Sequence, residues 1–600
     1  MAWVGPHRWL FVLLGVTLGY AATTSSAGAL PVPPGHAREV RSDRILVRVA
    51  PGRALQALLP GVGAMGGMGA SGASGGSGAS GGTATPPRHL FGNWWRVEVP
   101  ADETPELFAA RFAEVAGEAT VERVDPDVVH RIAFGDGVWT AAAARAAASA
   151  PATERITDDP LFLQQWHHQR VGAEAAWLRS TGAGVVVAVI DSGVAVADGP
   201  LDDGLCRPLA GEYDAVLDQE GPGTATDRLG HGTFVAGVVA QCTGNGRGGA
   251  GLAPGASILA IRACTDDSEC ASSDVALAID WATTHGARVI NLSLGMACGT
   301  TDWPECSTAI ENDALARAAQ AGVVVVANAG NAGQDHIGFP ANHPEVIGVG
   351  GVEARLLKTS YSSWGDALSV TAPAGEPDVD ADGDGFDDEI LQETLRRICV
   401  AGGGTSFTHC RWSGTSFAAP HVAATAALLF ESHPAASRSQ IRRAIEESAL
   451  DRGAPGFDPL YGNGVVQADA ALLRLDDIVA VEGEGCIDAP ERLCLMQDRF
   501  AVEVSWRNYQ GGTGFGFARP LTTDSGLFWF FAPQNLELLV KMVDGCSFNG
   551  HFWVYAAATT DVEYHLRVTE SASGAFRTFD NTLGTASPAF TSIDAFPCGE

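Results

Sequence analysis

Three side chains, far apart in a 600-residue sequence, are of the types that nucleophilic catalysis uses: Asp191 in VVVAVIDSGV, His231 in RLGHGTFVAGVVA and Ser416 in RWSGTSFAAPHVA. A serine hydroxyl is a poor nucleophile until a neighbouring base takes its proton. Histidine can do so near neutral pH. A carboxylate on the far ring nitrogen then fixes the tautomer and orientation of the imidazole. Each residue also has a plainer reading. Ser416 stands where an alanine-rich helix starts, a capping position. Asp191 closes an apolar run, where turn formers gather, and His231 is one of 15 histidines. A shared setting sets the three apart: each lies at the end of an expected element, among glycines and small residues that let backbones come close. The helix start at Ser416 also offers unpaired N–H groups able to hold an oxyanion.

The segments IDSG, GHGTFVAG and GTSFAAPHVA, in that order, resemble the three signature blocks of the subtilisin-like serine proteases (peptidase S8), whose triad order differs from that of chymotrypsin. The resemblance covers roughly residues 160–475. It implies that Ser416 is the nucleophile, His231 the general base and then acid, and Asp191 the orienting carboxylate. It further implies that Asn331, in ANAGNAG after a VVVV run, supplies an amide N–H to the oxyanion beside the Ser416 N–H. Asn328, three residues earlier, is the competing candidate. Ser293, Leu294 and Gly295 are similar to the family's substrate-binding wall, to which an extended peptide adds as an edge strand. Gly295 would leave room for the side chain before the scissile bond. The sequence that follows, MACGTTDWPEC, departs from the family's glycine-rich continuation, so side-chain preference does not carry over.

One segment suggests a metal. DVDADGDGFDDE (378–389) places Asp378, Asp380, Asp382, Gly383 and Glu389 at positions 1, 3, 5, 6 and 12 of a calcium loop. A second register from Asp380 recruits Asp384 and Asp388 but lacks the terminal acid. The flanks do not read as helices, so this is a candidate structural calcium loop without a full EF-hand. The plain alternative is a solvated acidic loop. Catalysis itself is expected to need no cofactor.

These residues need a scaffold, and the sequence outlines one. GVVVAVI (184–190), GARVINLSL (286–294), GVVVVANA (322–329) and EVIGVGGV (345–352) are continuous β-branched runs with helical stretches between them, such as 275–286 and 312–322. Strands without alternation, separated by helices, indicate a parallel sheet covered on both faces, with working residues at the carboxyl ends of strands. The expected fold class is α/β, a subtilisin-like doubly wound parallel sheet at 151–475. A small α+β unit at 30–150 precedes it, with strands at 45–51, 94–100 and 120–127, a helix at 103–117 and a Gly/Ser-rich loop at 60–82. This unit resembles the family's propeptides, which dock on the protease and leave a tail in the cleft; the cut is expected between about 133 and 160. After 480 the chain alternates and turns regularly, which indicates an all-β sandwich at 480–600. Trp506, Trp529 and Trp553 there are expected in its core, with a carbohydrate or protein surface as the other reading.

The charge balance excludes some partners. With 38 Lys+Arg against 70 Asp+Glu the net charge is −32, which argues against nucleic acid. His7 and Arg8 precede an apolar run, Trp9 to Tyr20, too short to span a bilayer comfortably, with an uncleaved membrane anchor as the other reading. With the small residues Ala27-Gly28-Ala29 after it, residues 1–29 read as a signal peptide. Twelve cysteines, none before Cys206, fall in close pairs (206/242, 264/270, 298/306, 399/410, 486/494) with 546 and 598 remaining. Local disulfides in an oxidising compartment follow. The expected function is a secreted, self-processing serine endopeptidase of bacterial-type export. It would be a monomer acting on protein or peptide substrates, with its own propeptide as inhibitor and no membrane span once the signal is cut. The alternative is a surface binding or adhesion protein carrying an inactive protease fold.

Overall fold

The computed structural model describes residues 40–49, 88–99, isolated positions from 104 to 112, 121–132, 140–141, 157–196, 204–298, 306–399, 404–482, 486 and 491–598, with short breaks at 382, 384, 510–512, 533–534, 572–574 and 588. The expected signal peptide at 1–29, the Gly/Ser-rich loop at 60–82, and Asp382 and Asp384 lie outside the described residues.

At the N-terminal end, β1 (Val40–Val49) lies between β2 (Trp94–Glu98) and β3 (Val121–Arg131), all antiparallel. Side chains alternate across such a sheet. Ile45, Val47, Val49, Trp95 and Val97 form a small core with Phe108 and Phe112. Leu46 and Trp94, on the opposite face, join the core of the next unit.

The central sheet has eight strands. From one edge inward its order is β11 (Val370–Pro373), β10 (Val346–Val352), β9 (Val324–Asn328), β8 (Val289–Leu292), β4 (Val186–Asp191), β6 (Ser257–Arg262) and β5 (Gly211–Asp214), with the short strand Gln219–Glu220 last. Every pairing is parallel except the one to that edge strand. Both faces are covered, as the unalternating runs require. Val187, Val189, Val324 and Val326 enter one core. Ala188, Ile190, Val325 and Ala327 enter the other.

Helices α2 (His231–Ala240) and α5 (Thr415–Ser432) pack on the first face, and α3 (Ser272–Thr284) and α4 (Ala309–Gln320) on the second. Strand β7 (Glu269–Ala271), just ahead of α3, pairs with the end of β3 and so extends the N-terminal sheet onto this unit. Strands β12 (Ile390–Leu395) and β13 (Phe407–Trp412) form a hairpin, and Thr140–Ala141 pairs with Cys410 and Arg411 of β13.

Beyond residue 490 two five-stranded antiparallel sheets share one core, with Phe500, Phe528, Val540, Val554, Tyr564 and Phe596 inside. Trp529 and Trp553 are only partly buried. Strand alternation gives the core to their neighbours Phe528 and Phe552 and turns the indoles outward. Trp553 donates to Asn549 Oδ1 at 2.9 Å, and Trp529 stacks on Phe517. Trp506 packs against the rim of the core. All twelve cysteines are disulfide-bonded, in the five close pairs and as 546–598. Among the described residues no helix is long and apolar enough to cross a membrane.

Candidate active site

Asp191 is the last residue of β4 and is fully buried. His231 is the first residue of α2, and its Nδ1 lies 2.8 Å from Asp191 Oδ1 and 2.9 Å from Oδ2. A carboxylate only accepts, so Nδ1 carries the proton and Nε2 the lone pair. The flanking glycines are required by contact. A Cβ on Gly232 would sit 2.1 Å from Gly193 O, and Gly230 has φ 104°, a left-handed conformation that glycine adopts without strain. The two loops therefore touch backbone to backbone.

Asp227, which sequence reasoning missed, fastens them. Its Oδ1 accepts from Ser192 Oγ, Leu229 N and Gly230 N, and its Oδ2 from Thr233 N and Oγ1. Burial pushes the Asp227 carboxyl up while these bonds pull it down. An Asp four residues before a histidine carries only a turn signal in sequence, so nothing marked it.

Ser416 is the second residue of α5. The helix contains Pro420, which has no N–H to offer the Ser416 carbonyl four residues back. Ser293 fills that place: its Oγ donates to Ser416 O at 2.6 Å, while Ser416 Oγ donates to Ser293 O at 3.4 Å. The His231 ring lies against this first turn, 5.6 Å from the Phe417 ring and 5.7 Å from that of Trp412. The fold thus sets the Asp191–His231 pair against the first turn of the helix that bears Ser416, at the carboxyl end of the sheet. Trp412 and Phe417, the aromatic walls of the imidazole, also went unrecognised, since in sequence they look like ordinary core.

Asn331 Oδ1 accepts from Thr415 N at 2.9 Å and from Thr415 Oγ1 at 2.6 Å. With its oxygen held there, Nδ2 faces Gly414, where a Cβ would lie 3.4 Å away. Asn328 does the reverse and spends its amide N–H on Thr415 Oγ1 at 3.2 Å. Both amides thus bear on the start of α5, Asn328 through its N–H on Thr415 and Asn331 with Nδ2 beside Gly414.

On the expected substrate wall, Leu294 is fully buried and Gly295 forms an antiparallel bridge to Arg131 at the end of β3. Gly295 O accepts from Arg131 N at 3.1 Å, and Arg131 O accepts from Gly295 N at 3.3 Å. Ile132 N donates to Ser268 O from the opposite side, so the strand end lies between two backbones.

In the acidic segment, Asp380 is occupied with the chain itself, accepting from Gly383 N at 2.7 Å and Gly385 N at 3.1 Å. Glu389 is buried, its Oε2 has no hydrogen-bond partner, and burial with the nearby charges of Asp387 and Asp378 pushes its carboxyl up to about 7. Among the described residues the segment brings no three carboxylates within 4.8 Å of one another.

Comparison with known proteins gives this geometry its family. The subtilase family, peptidase S8, matches residues 182–464. Subtilisin DY from Bacillus licheniformis is 35% identical over 294 residues, covering 48% of this chain and 91% of that protein. Subtilisin BL from Lederbergia lenta is 34% identical over 51% of this chain and 97% of its own. The minor extracellular protease Epr of Bacillus subtilis is 31% identical over 52% of this chain and 42% of its own. The chain belongs to the subtilase family and is a serine-type endopeptidase with a subtilisin-like α/β fold and additional β-sheet regions.

Proposed function

We propose that Ser416, His231 and Asp191 are the catalytic residues of a secreted, self-processing endopeptidase. The observation that carries this reading is the Asp191–His231 hydrogen bond at 2.8 Å, made against the first turn of the helix that presents Ser416. Ser416 Oγ attacks the scissile carbonyl as its proton passes to His231 Nε2, and Asp191 stabilises the imidazolium. The tetrahedral oxyanion is held by the Ser416 N–H and by Asn331 Nδ2. His231 then protonates the leaving amine, and water attacks the acyl-enzyme by the same route in reverse. No cofactor enters these steps. The substrate is an extended protein or peptide segment paired with Gly295, held through its main chain.

The N-terminal unit is read as the propeptide. Its strand pairs with the wall at Arg131–Gly295, and Thr140–Ala141 pairs with β13, which leads into Ser416. The processing cut is placed, as the sequence suggests, between about 133 and 160. Secretion is supported by the signal-like leader, the six disulfides and the extracellular relative. A structural calcium held by Asp378, Asp380, Asp382, Asp384 and Glu389 fits the unpartnered Glu389 Oε2 and would relieve the crowding of negative charge around it. The core of 480–600 is read as a β-sandwich of unassigned ligand.

The test is expression of Ser416→Ala beside the wild type. The wild type should be labelled by a fluorophosphonate and begin, once secreted, at a residue between about 133 and 160, whereas the variant should remain an unlabelled, uncut precursor. A Ser416→Ala chain cut at the same bond when expressed free of other proteases would remove self-processing, and an unlabelled wild type would remove the nucleophile.

A further inference from the structure

A second group of chemically competent side chains lies behind the catalytic helix and plays no part in the steps above. His167 and His168 sit on the short helix α1 (Trp166–Arg170), and His421 projects from α5 five residues beyond Ser416. All three are fully buried. Their ring centroids are 4.2, 5.0 and 5.7 Å apart. One nitrogen from each ring lies within 4.8 Å of the other two.

The protons of this trio do not balance. His168 Nε2 contacts Ala250 O at 2.8 Å, His421 Nδ1 contacts Phe417 O at 2.8 Å, and His167 Nε2 contacts Leu391 O at 3.3 Å. A carbonyl only accepts, so a hydrogen bond at each of these contacts uses its ring's one N–H. Three neutral imidazoles have no further proton. Yet His167 Nδ1 and His421 Nε2 face each other at 2.9 Å, lone pair to lone pair, and His168 Nδ1 is buried with no hydrogen-bond partner. A metal ion meets the same deficit without an N–H.

We propose that His167 Nδ1, His168 Nδ1 and His421 Nε2 bind a divalent cation of the zinc type, which clamps α1 to the helix carrying Ser416. Imidazole nitrogens suit zinc, copper, nickel and cobalt. Two nitrogens at tetrahedral bonding distance from one zinc stand about 3.3 Å apart, so the 2.9 Å pair needs little opening. The three carbonyls are the outer partners that metal-bound histidines use to fix their tautomer.

The experiment uses the full-length chain carrying Ser416→Ala, which halts autolysis, stripped with a chelator and titrated with Zn(II) or Co(II) alone. One tight equivalent per chain is expected, with the visible bands of tetrahedral Co(II) and a raised melting temperature. His168→Gln retains a side-chain N–H for Ala250 O but deletes the Nδ1 ligand. Its zinc affinity should fall at least about a hundredfold, the upper end of what losing even an outer partner costs, and its Co(II) bands should vanish. Zinc-edge X-ray absorption on the unsubstituted trio should count three imidazoles, a reading that does not depend on the variant folding. Substoichiometric binding, equal binding and bands in His168→Gln, or fewer than three imidazoles would each overturn the proposal.

Discussion

Replacing Asp227 by asparagine tests the claim that one buried carboxylate holds the Asp191 and His231 loops together. All five of its partners are donors: Ser192 Oγ at 2.9 Å, Leu229 N and Gly230 N at 2.8 Å each, Thr233 N at 3.0 Å and Thr233 Oγ1 at 2.6 Å. Asparagine keeps the shape but must point an NH2 at one side. Placed at Oδ1, it opposes two backbone N–H groups, which cannot turn away. Placed at Oδ2, it opposes one, and the Thr233 hydroxyl can rotate to accept; that placement wins. A backbone donor left unsatisfied in the interior costs about 1–3 kcal/mol, and the remaining bonds lose their assistance from charge, for another ~1–2 kcal/mol. Burial already works against the charge on Asp227, so the expected total is the middle of that range, about 3 kcal/mol. For a unit of this size that is a fall of roughly 4–6 °C in melting temperature. Asp227 acts through the imidazole rather than on the substrate, so kcat should fall about ten- to a hundredfold with KM unchanged, as for a displaced catalytic group. Melting is measured after sulfonyl fluoride treatment, which blocks autolysis, and kinetics on the untreated enzyme with a peptide substrate. An unchanged melting temperature with unchanged kcat would show that the loops hold without Asp227. A raised KM at constant kcat would show that it belongs to substrate binding instead.

Asn331→Ala should lower kcat by about a hundred- to a thousandfold at constant KM, a magnitude taken from the corresponding donor of a subtilisin rather than worked out from this site; loss confined to KM would move Asn331 out of the oxyanion role. Ser293→Ala strands the Ser416 carbonyl that Pro420 cannot serve, at about 1–3 kcal/mol, and adding Pro420→Ala should recover part of it through the new N–H; strictly additive losses in thermal melts would refute that link. Asp127 caps α3 from the N-terminal unit through Ser272 Oγ, Ser273 N and Ser273 Oγ. Asp127→Ala should therefore shorten the lag before peptidase activity appears, and an unaltered lag would count against this cap. Burial pushes the neighbouring Asp274 carboxyl up to about 6 in the docked state, so docking is strongest below about pH 4 and weakens as pH rises through about 6; with Asp274→Asn the pH dependence of the lag should flatten. Glu389, raised to about 7, likewise contributes stability below its ordinary range that is lost as pH rises through 7, by up to ~3 kcal/mol at 1.36 kcal/mol per unit. Glu389→Gln should abolish this slope, and calcium, if bound there, should raise the wild-type melting temperature at pH 8 but not that of the variant.

What the sequence discloses follows the physics of each feature. The blocks around Asp191 and His231 are legible because backbone contact between Gly193 and Gly232 forbids any side chain. The parallel strands are legible because burial on both faces removes their alternation. The end of β3 is different: the expectation stopped at Asp127, whereas the strand continues to Arg131, because its partner there is Glu269–Ala271, more than a hundred residues away. A pairing decided by a distant edge leaves no local mark. Asp227, Trp412 and the His167–His421 contact are hidden for the same reason, since each is an ordinary residue type whose role comes only from what the fold sets beside it. The outward indoles of Trp529 and Trp553 show the converse limit, where a register offset by one residue gives the interior to the adjacent phenylalanine.

Among the described residues, the bonds found at the start of α5 come from within the central unit. Ser293, just past β8, grips the Ser416 carbonyl; Asn328, the last residue of β9, and Asn331 beyond it grip Thr415; Phe417 packs on Phe234 and His231; and His421 meets His167. None of these contacts involves residues 40–132. The N-terminal unit instead touches Gly295, Ser268, the start of α3, and Glu311 and Asp313 of α4. Removing it should therefore leave nucleophile and base where they stand, and exchange one antiparallel partner of Gly295 for another. On the proposed reading of the N-terminal unit as a propeptide, a site preorganised in this way loses no energy to rearrangement when that unit leaves, so the barrier to activation lies in undocking at α3 and the wall rather than in assembling the triad.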